Sequence, residues 1–357
     1  MTRAHNFGAG PAALPLPVLE QAQAELLDYQ GRGMSLLEIS HRGDAYRALH
    51  TEAQRRLRAL LGLDDAFRVL FLGGGATLQF AMLPLNLLPE RGRADYLLSG
   101  AWGRKAFADA GRVGQVRAVW DDDGRLPEAG EFTPDPDAAY LHLTSNETIG
   151  GLQWPEYPSS GGAPLVMDVS SDFLSRPLPV ARLGLAYAGA QKNAGPAGVT
   201  VVIVHESLLG RSGRALPSYL DYGVHAAQDS LANTPPVFAV YVLGLVMAWM
   251  EREGGIDGAA RRAAERAALI YAAIDDSGGF YRCPVPVAQR SSMNVVFRLP
   301  DEALEARFLA AAGTAGLIGL KGHRSVGGCR ASLYNGLPLE SARVLAAFMG
   351  EFARTSG

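Results

Sequence analysis

The sequence predicts an α/β protein: a large domain over residues 15–254 with a mostly parallel central sheet, then a smaller C-terminal α+β domain over residues 255–357. Three observations carry this prediction. Short apolar runs, among them RVLFL at 68–72 and PLVMDV at 164–169, alternate with stretches of helical periodicity, which is the pattern of strands joined by crossover helices. Several of these runs end in Gly, Ser, Asp or Thr, the residue types found where open α/β sheets place their ligands. After Gly254-Gly255 the composition changes, and strand and helix patterns restart on a shorter scale.

Composition sets the outer limits. Of 357 residues, 48% are hydrophobic and 19% charged, a globular balance that argues against disorder. A formal net charge of -3 gives no general attraction to nucleic acid or to an anionic membrane, so any phosphorylated ligand must be met by locally placed basic groups. Cys283 and Cys329 are the only cysteines, too few for a disulfide framework or a paired-cysteine metal site. The start, MTRAHNFGAGPAALP, lacks the basic and apolar regions of a leader. The longest apolar stretch, 237–250, is short for a membrane span. The expectation is a soluble cytoplasmic protein.

Taken in order, residues 6–15 (NFGAGPAALP) form an irregular segment. Its Gly8-x-Gly10 spacing resembles a dinucleotide fingerprint but has no strand before it and carries Pro11 in the turn, so a nicotinamide site is rejected. This segment, 1–14, is expected to pack near the site. Helical sequence at 17–29 leads to the loop GRGMSLLEISHRG, where His41 and Arg42 read locally as solvated residues before the helix at 46–61. The strand at 68–72 runs into Gly73-Gly74-Gly75-Ala76-Thr77 and a new helix, an arrangement that aims free backbone N–H groups at a phosphate. No P-loop lysine follows it.

A strand at 94–99 precedes a helix opening at Gly100-Ala101-Trp102, where Trp102 fills the core or lays its face on a planar ring. After a strand at 113–119 and an acidic surface loop at 121–137, the strand at 138–143 enters TSNETIGG, which contains Thr148. Residues 218–236 read as a long polar loop with Asn233-Thr234 ahead of two prolines. Helices at 237–252 and 258–274 follow. The last hundred residues read as a strand (293–299), a helix (301–312), a glycine-rich loop bearing His323, Arg324 and Arg330, a strand (329–334) and a helix (338–353).

The chemistry centres on residues 187–204, YAGAQKNAGPAGVTVVIV: a strand, a tight loop holding Gln191, Lys192 and Asn193, and a second strand. A lysine between buried strands loses hydration, which lowers an ammonium pKa and frees the amine to form a Schiff base. Its alternative is a surface turn lysine. The strand at 164–169 ends in Asp168, and one further strand brings that acid to the same sheet edge as Lys192. A carboxylate that holds a pyridinium proton and an imine-forming lysine are the pair that pyridoxal 5'-phosphate (PLP) requires.

Taken together, NFGAGPAALP, GMSLLEISHRG, GGGATLQFAMLPLNLL, SGAWGRKA, SNETIGG, DVSSDFLSRP, AGAQKNAGPAG, NTPP and GHRSVGGCRASLYN resemble the phosphoserine aminotransferases, PLP enzymes of fold type I, class V. The resemblance runs in order from Asn6 to about Met349. It implies transamination between glutamate and 3-phosphohydroxypyruvate, and a phosphorylated four-carbon 2-oxo acid of vitamin B6 synthesis as a further substrate. It implies that Lys192 carries PLP and shuttles the proton, Asp168 pairs with the ring nitrogen, and Trp102 stacks on the ring. Ala76, Thr77, Thr148 and Gln191 are then expected at the cofactor phosphate or ring substituents, with Asn233 and Thr234 arriving from the other chain of a homodimer. Arg330 is implied to bind the substrate carboxylate, and His41, Arg42, His323 and Arg324 the substrate phosphate, with Arg42 also receiving the distal carboxylate of glutamate. Thr77 and Ala9 depart from family members that carry Arg and Ser there.

Two rivals stand beside this reading. A class V cysteine desulfurase would place Cys329 as a nucleophile in its loop, although Cys329 leads straight into the strand pattern RASLY. A non-catalytic dimeric binding protein of the same fold would have no need of Lys192 and Asp168.

Overall fold

In the computed structural model, which describes residues 3–356, a two-residue strand β1 (His5–Asn6) is followed by helices α1 (Leu16–Ala24) and α2 (Asp44–Leu61). Next come β2 (Phe67–Leu72), α3 (Gly75–Leu87), β3 (Arg93–Leu98), α4 (Ala101–Ala110) and β4 (Gln115–Asp121). The strands β5 (Leu141–Thr144), β6 (Asn146–Glu147), β7 (Leu152–Gln153), β8 (Leu165–Asp168), β9 (Leu183–Gly189) and β10 (Thr200–His205) follow. The remainder is α5 (Tyr222–Ala227), α6 (Val237–Arg252), α7 (Gly255–Asp275), β11 (Asn294–Phe297), α8 (Glu302–Thr314), β12 (Leu317–Ile318), β13 (Cys329–Ser332) and α9 (Leu339–Ser356).

Seven strands form the central sheet in the order β2-β10-β9-β8-β5-β3-β4. It is parallel throughout except for β10, which runs antiparallel to both β9 and β2. The reason is local, because the loop between β9 and β10 is too short for a crossover and permits only a hairpin-like return. That return carries Lys192. Strands β5, β8 and β9 are buried along their whole length, as a sheet covered on both faces requires. Alternation along each strand divides the core. Leu141, Leu165, Met167, Ala186 and Ile203 join α2 and α6 on one face, and Val166, Leu185, Tyr187 and Val202 join α3 and α4 on the other. Each fully buried Leu, Val, Ile or Met side chain among them contributes roughly 1.5–3 kcal/mol.

The C-terminal residues build a separate core around Val295, Phe297, Phe308, Leu345 and Met349. The first residues of the chain belong to it. Strand β1 pairs in parallel with β12, and Phe7 is fully buried there. These very short strands, like the β6–β7 pair, carry no periodicity that a sequence reading can detect.

Two expectations are corrected. The 218–236 stretch is not all loop, since it folds into α5, where the Asp221 side chain accepts a hydrogen bond from Gly223 N–H at 2.7 Å and Tyr222 and His225 are buried. The first helix stops at Ala24, not at Tyr29. Tyr29 turns inward instead, its ring 5.8 Å from that of Tyr241 on α6. Among the described residues, no helix is long and apolar enough to cross a membrane.

Candidate active site

The carboxyl ends of β5, β8 and β9 lie side by side because these strands are parallel neighbours, with Thr144, Asp168 and Tyr187 in register. Strand β2 points the same way, being separated from β9 by two antiparallel pairings. One sheet edge therefore collects Asp168, the loop after β9 and the first turn of α3.

Asp168 is buried and accepts a hydrogen bond from Ser170 N–H at 2.9 Å. Burial raises its pKa, and the nearby Lys192 cation opposes that rise. Lys192 donates from Nζ to Thr148 Oγ1 at 2.7 Å, and its Nζ lies 5.3 Å from the Trp102 ring centroid. The lysine keeps a window to solvent, yet the dense protein around it lowers its pKa, chiefly by desolvation, against the pull of Asp168 and Glu147. This is the environment an amine needs to react as a base or nucleophile.

The loop that carries the lysine is pinned from three sides. Asn193 accepts from Asn335 N–H at 2.7 Å and donates to the Phe173 carbonyl at 2.6 Å. Gln191 folds its amide back against Gly189, and its carbonyl accepts from Ala12 N–H at 2.9 Å. Gly10, at φ +130°, brings the N-terminal segment so close that a Cβ there would sit 3.2 Å from Lys192 Cγ.

Arg330, on β13, donates from Nη1 to the Thr148 carbonyl at 3.2 Å, and its Nε is buried without a partner. It borders a cleft of about 440 Å³ together with Gly100, Ile149, Arg298 and His323. Burial and the neighbouring Arg330, Arg324 and Lys105 cations push the His323 pKa below the usual imidazole value. Ala76 and Thr77 lie in the first turn of α3, whose N-terminus has no side-chain cap. That helix packs against α4, with the Phe80 and Trp102 rings 6.4 Å apart.

Other residues singled out in the sequence lie elsewhere. Arg42 is exposed and borders a different hollow with Arg47, His50 and Asp229. His41 is its chain neighbour. Asn233 and Thr234 are exposed and take part in none of the hydrogen bonds that join Lys192, Thr148 and Arg330. Within one chain these four residues do not meet the Lys192 group.

The donor set fits PLP. A buried carboxylate, a desolvated lysine, an indole face beside it and an uncapped helix N-terminus are grouped at one sheet edge. The comparisons agree with that geometry. The family description "Aminotransferase class-V" matches residues 4–342. The phosphoserine aminotransferase of Laribacter hongkongensis is 53% identical, with 99% of each chain covered. The solved phosphoserine aminotransferase from Bacillus circulans subsp. alkalophilus is 51% identical over 99% of each chain, with a TM-score of 0.97. The PLP-bound phosphoserine aminotransferase of Trichomonas vaginalis is 37% identical, with a TM-score of 0.92, over 97% of this chain and 99% of its own.

The chain belongs to the phosphoserine aminotransferases of class V.

Membership in this family disposes of both rivals, and the structure gives the physical side of one. Cys329 is buried, and its thiol is pushed up to about 12, chiefly by desolvation, which is the opposite of an activated thiolate. The sequence alone assigned no role to Glu147, Lys105 or Asn193, the last named only as part of the lysine loop. Asn193 stands next to the lysine. Glu147 announces itself only as a carboxylate inside a stretch whose neighbours pack like a core.

Proposed function

We infer that the chain is a PLP-dependent transaminase that moves the amino group of glutamate to 3-phosphohydroxypyruvate, giving 2-oxoglutarate and O-phospho-L-serine, a step of serine biosynthesis. The observation that carries this reading is the desolvated Lys192 amine near buried Asp168, linked through Thr148 to Arg330, which borders a cleft with His323. Bound PLP supplies a carbonyl carbon that exchanges amino groups and a ring that draws off electrons. Asp168 would hold a proton on the cofactor's ring nitrogen. Lys192 would hold the cofactor at rest and, as a free amine, would move the proton at the substrate Cα. Trp102 would lie beside the ring, and the first turn of α3, with Ala76 and Thr77, would offer N–H groups to the cofactor phosphate together with Thr148 and Gln191.

Arg330 takes the substrate α-carboxylate, a bidentate task suited to a planar guanidinium. His323 and Arg324 receive the substrate phosphate from the small-domain loop. His41, Arg42, Asn233 and Thr234 belong to a second copy's site in a homodimer. The exposure of Arg42, Asn233 and Thr234, and the absence of a hydrogen bond from Asn233 or Thr234 to the Lys192 group, support that arrangement. A large domain at 15–254, a small one at 255–357 and a cytoplasmic location with two free cysteines complete the reading. The four-carbon phosphorylated 2-oxo acid has the same anionic ends and falls within it.

The test is the visible absorbance of PLP-loaded protein. Glutamate should remove the resting band, and 3-phosphohydroxypyruvate should restore it. A band that ignores glutamate but answers another amino donor would overturn the substrate assignment.

A further inference from the structure

We propose that Glu147 is a positioning residue that fixes the first turn of α4 and thereby holds the Trp102 indole against the cofactor space beside Lys192. The inference rests on the PLP reading above. Glu147 lies on β6 and is only 1% exposed. Its Oε1 accepts from Gly103 N–H at 3.1 Å and its Oε2 from Trp102 N–H at 3.3 Å. Helix α4 has Gly100 at its N-cap and no side-chain cap of its own. A carboxylate from another strand therefore does the work that a Ser or Asp at position 100 would ordinarily do. Position 100 could hold no such residue, because a Cβ there would lie 2.5 Å from the Glu147 Cδ.

The adjoining residue makes this more than helix capping. Thr148 accepts the Lys192 Nζ and offers its carbonyl to Arg330. The dipeptide Glu147-Thr148, at the end of β6 and the start of the turn after it, thus ties the indole, the lysine and the arginine to one short segment, so a shift at Glu147 moves the indole relative to the amine. Burial, with Asp168, pushes its carboxyl up to about 7, against the Gly103 and Trp102 N–H groups, Lys192 and the positive end of α4, which favour the charged form. The titratable groups facing it are Asp168 from β8, Tyr187 from β9 and Lys192 from the loop after β9.

The test compares PLP-loaded wild type, Glu147→Gln, Trp102→Phe and the double variant by PLP dissociation constant and by the visible circular dichroism of bound PLP. A glutamine can accept only one of the two N–H groups and turns its own NH₂ toward the other. Glu147→Gln should therefore weaken PLP by about tenfold, the effect typical of losing an orienting outer partner, and diminish the dichroic band. The double variant should be no worse than the weaker single variant, since both changes act through one indole. Unchanged affinity and dichroism in Glu147→Gln, or penalties that multiply in the double variant, overturn the proposal. If Glu147→Gln does not fold, Glu147→Asp takes its place, with the same shifts expected and wild-type behaviour overturning it. Wild-type protein that takes up no PLP would sink the cofactor reading first; uptake by the wild type with an indifferent Glu147 variant sinks this inference alone.

Discussion

The two halves of the binding region are built differently. Around Lys192, Asp168, Glu147 and Thr148 are all buried, and each side chain is held by at least one hydrogen bond at a strand end. The basic residues tell the opposite story. Arg42 and Arg324 are exposed, His323 is only partly covered, and all of them lie on loops. On the proposed function, the difference follows from what each half would do. Shifting the pKa of a lysine needs desolvation and fixed neighbours, which only strand ends supply. Selecting a dianionic phosphate needs cations that stay charged and hydrated until the ligand arrives, and such groups are cheapest at the surface.

The sharpest way to test the buried half is to remove its amine. Lys192→Ala should lose transamination by on the order of 10⁴-fold, the upper range for a lost proton-transferring group. It should also show no glutamate-dependent spectral change. Residual turnover within about tenfold of wild type would mean that another base moves the Cα proton.

The exposed half can be broken by mixing chains. If Asn233 and Thr234 serve the partner's site, then Lys192→Ala protein and an Asn233→Ala/Thr234→Ala protein, each poorly active, should complement each other after unfolding and refolding together. In a statistical mixture about a quarter of wild-type activity should return, since half the dimers are mixed and each has one intact site. No recovery would place those residues in their own chain's site and remove the main support for a shared one.

How much was legible in the sequence tracks the same division. The Lys192 and Asp168 strands were readable because apolar runs with a single polar terminus are rare and have one obvious use. The strand-loop-strand pattern around Lys192 was readable, but the antiparallel direction of β10 is known from the structure. Arg42 and Asn233-Thr234 could be listed only from the resemblance, because exposed polar loop residues carry no periodicity that ties them to a site. Glu147 went unassigned for another reason. Its partners are the backbone N–H groups of Trp102 and Gly103, more than forty residues away, and backbone donors leave no mark on a sequence. The α5 turn was overlooked because a six-residue helix capped by Asp221 reads as loop chemistry.

Arg330 lies between the two halves, partly buried, and its substitution grades them. Arg330→Lys keeps the charge but loses the planar fork, so KM should rise by roughly 10- to 100-fold for both glutamate and the phosphorylated oxo acid, with a smaller change in kcat. A rise for only one substrate would show that the two acids do not share the carboxylate site.

The smallest expected effect is the most discriminating for the exposed rim. His323 has a pKa below the usual imidazole value, because partial burial and the Arg330, Arg324 and Lys105 cations disfavour a further positive charge. In the free protein it therefore takes up its proton at lower pH than an ordinary imidazole does. A phosphate bound beside it would favour that proton, so acidification should strengthen the contact. The substrate phosphate itself loses negative charge near pH 6, which works the other way. The ratio of KM for the phosphorylated oxo acid in His323→Gln to that in wild type cancels this second effect. It should climb by a few-fold as pH drops from about 8 to 6, the modest size expected of an exposed ion pair. The same ratio for glutamate, which brings no phosphate, should stay flat. A flat ratio for both would leave the phosphate to Arg324 and to residues from the other chain.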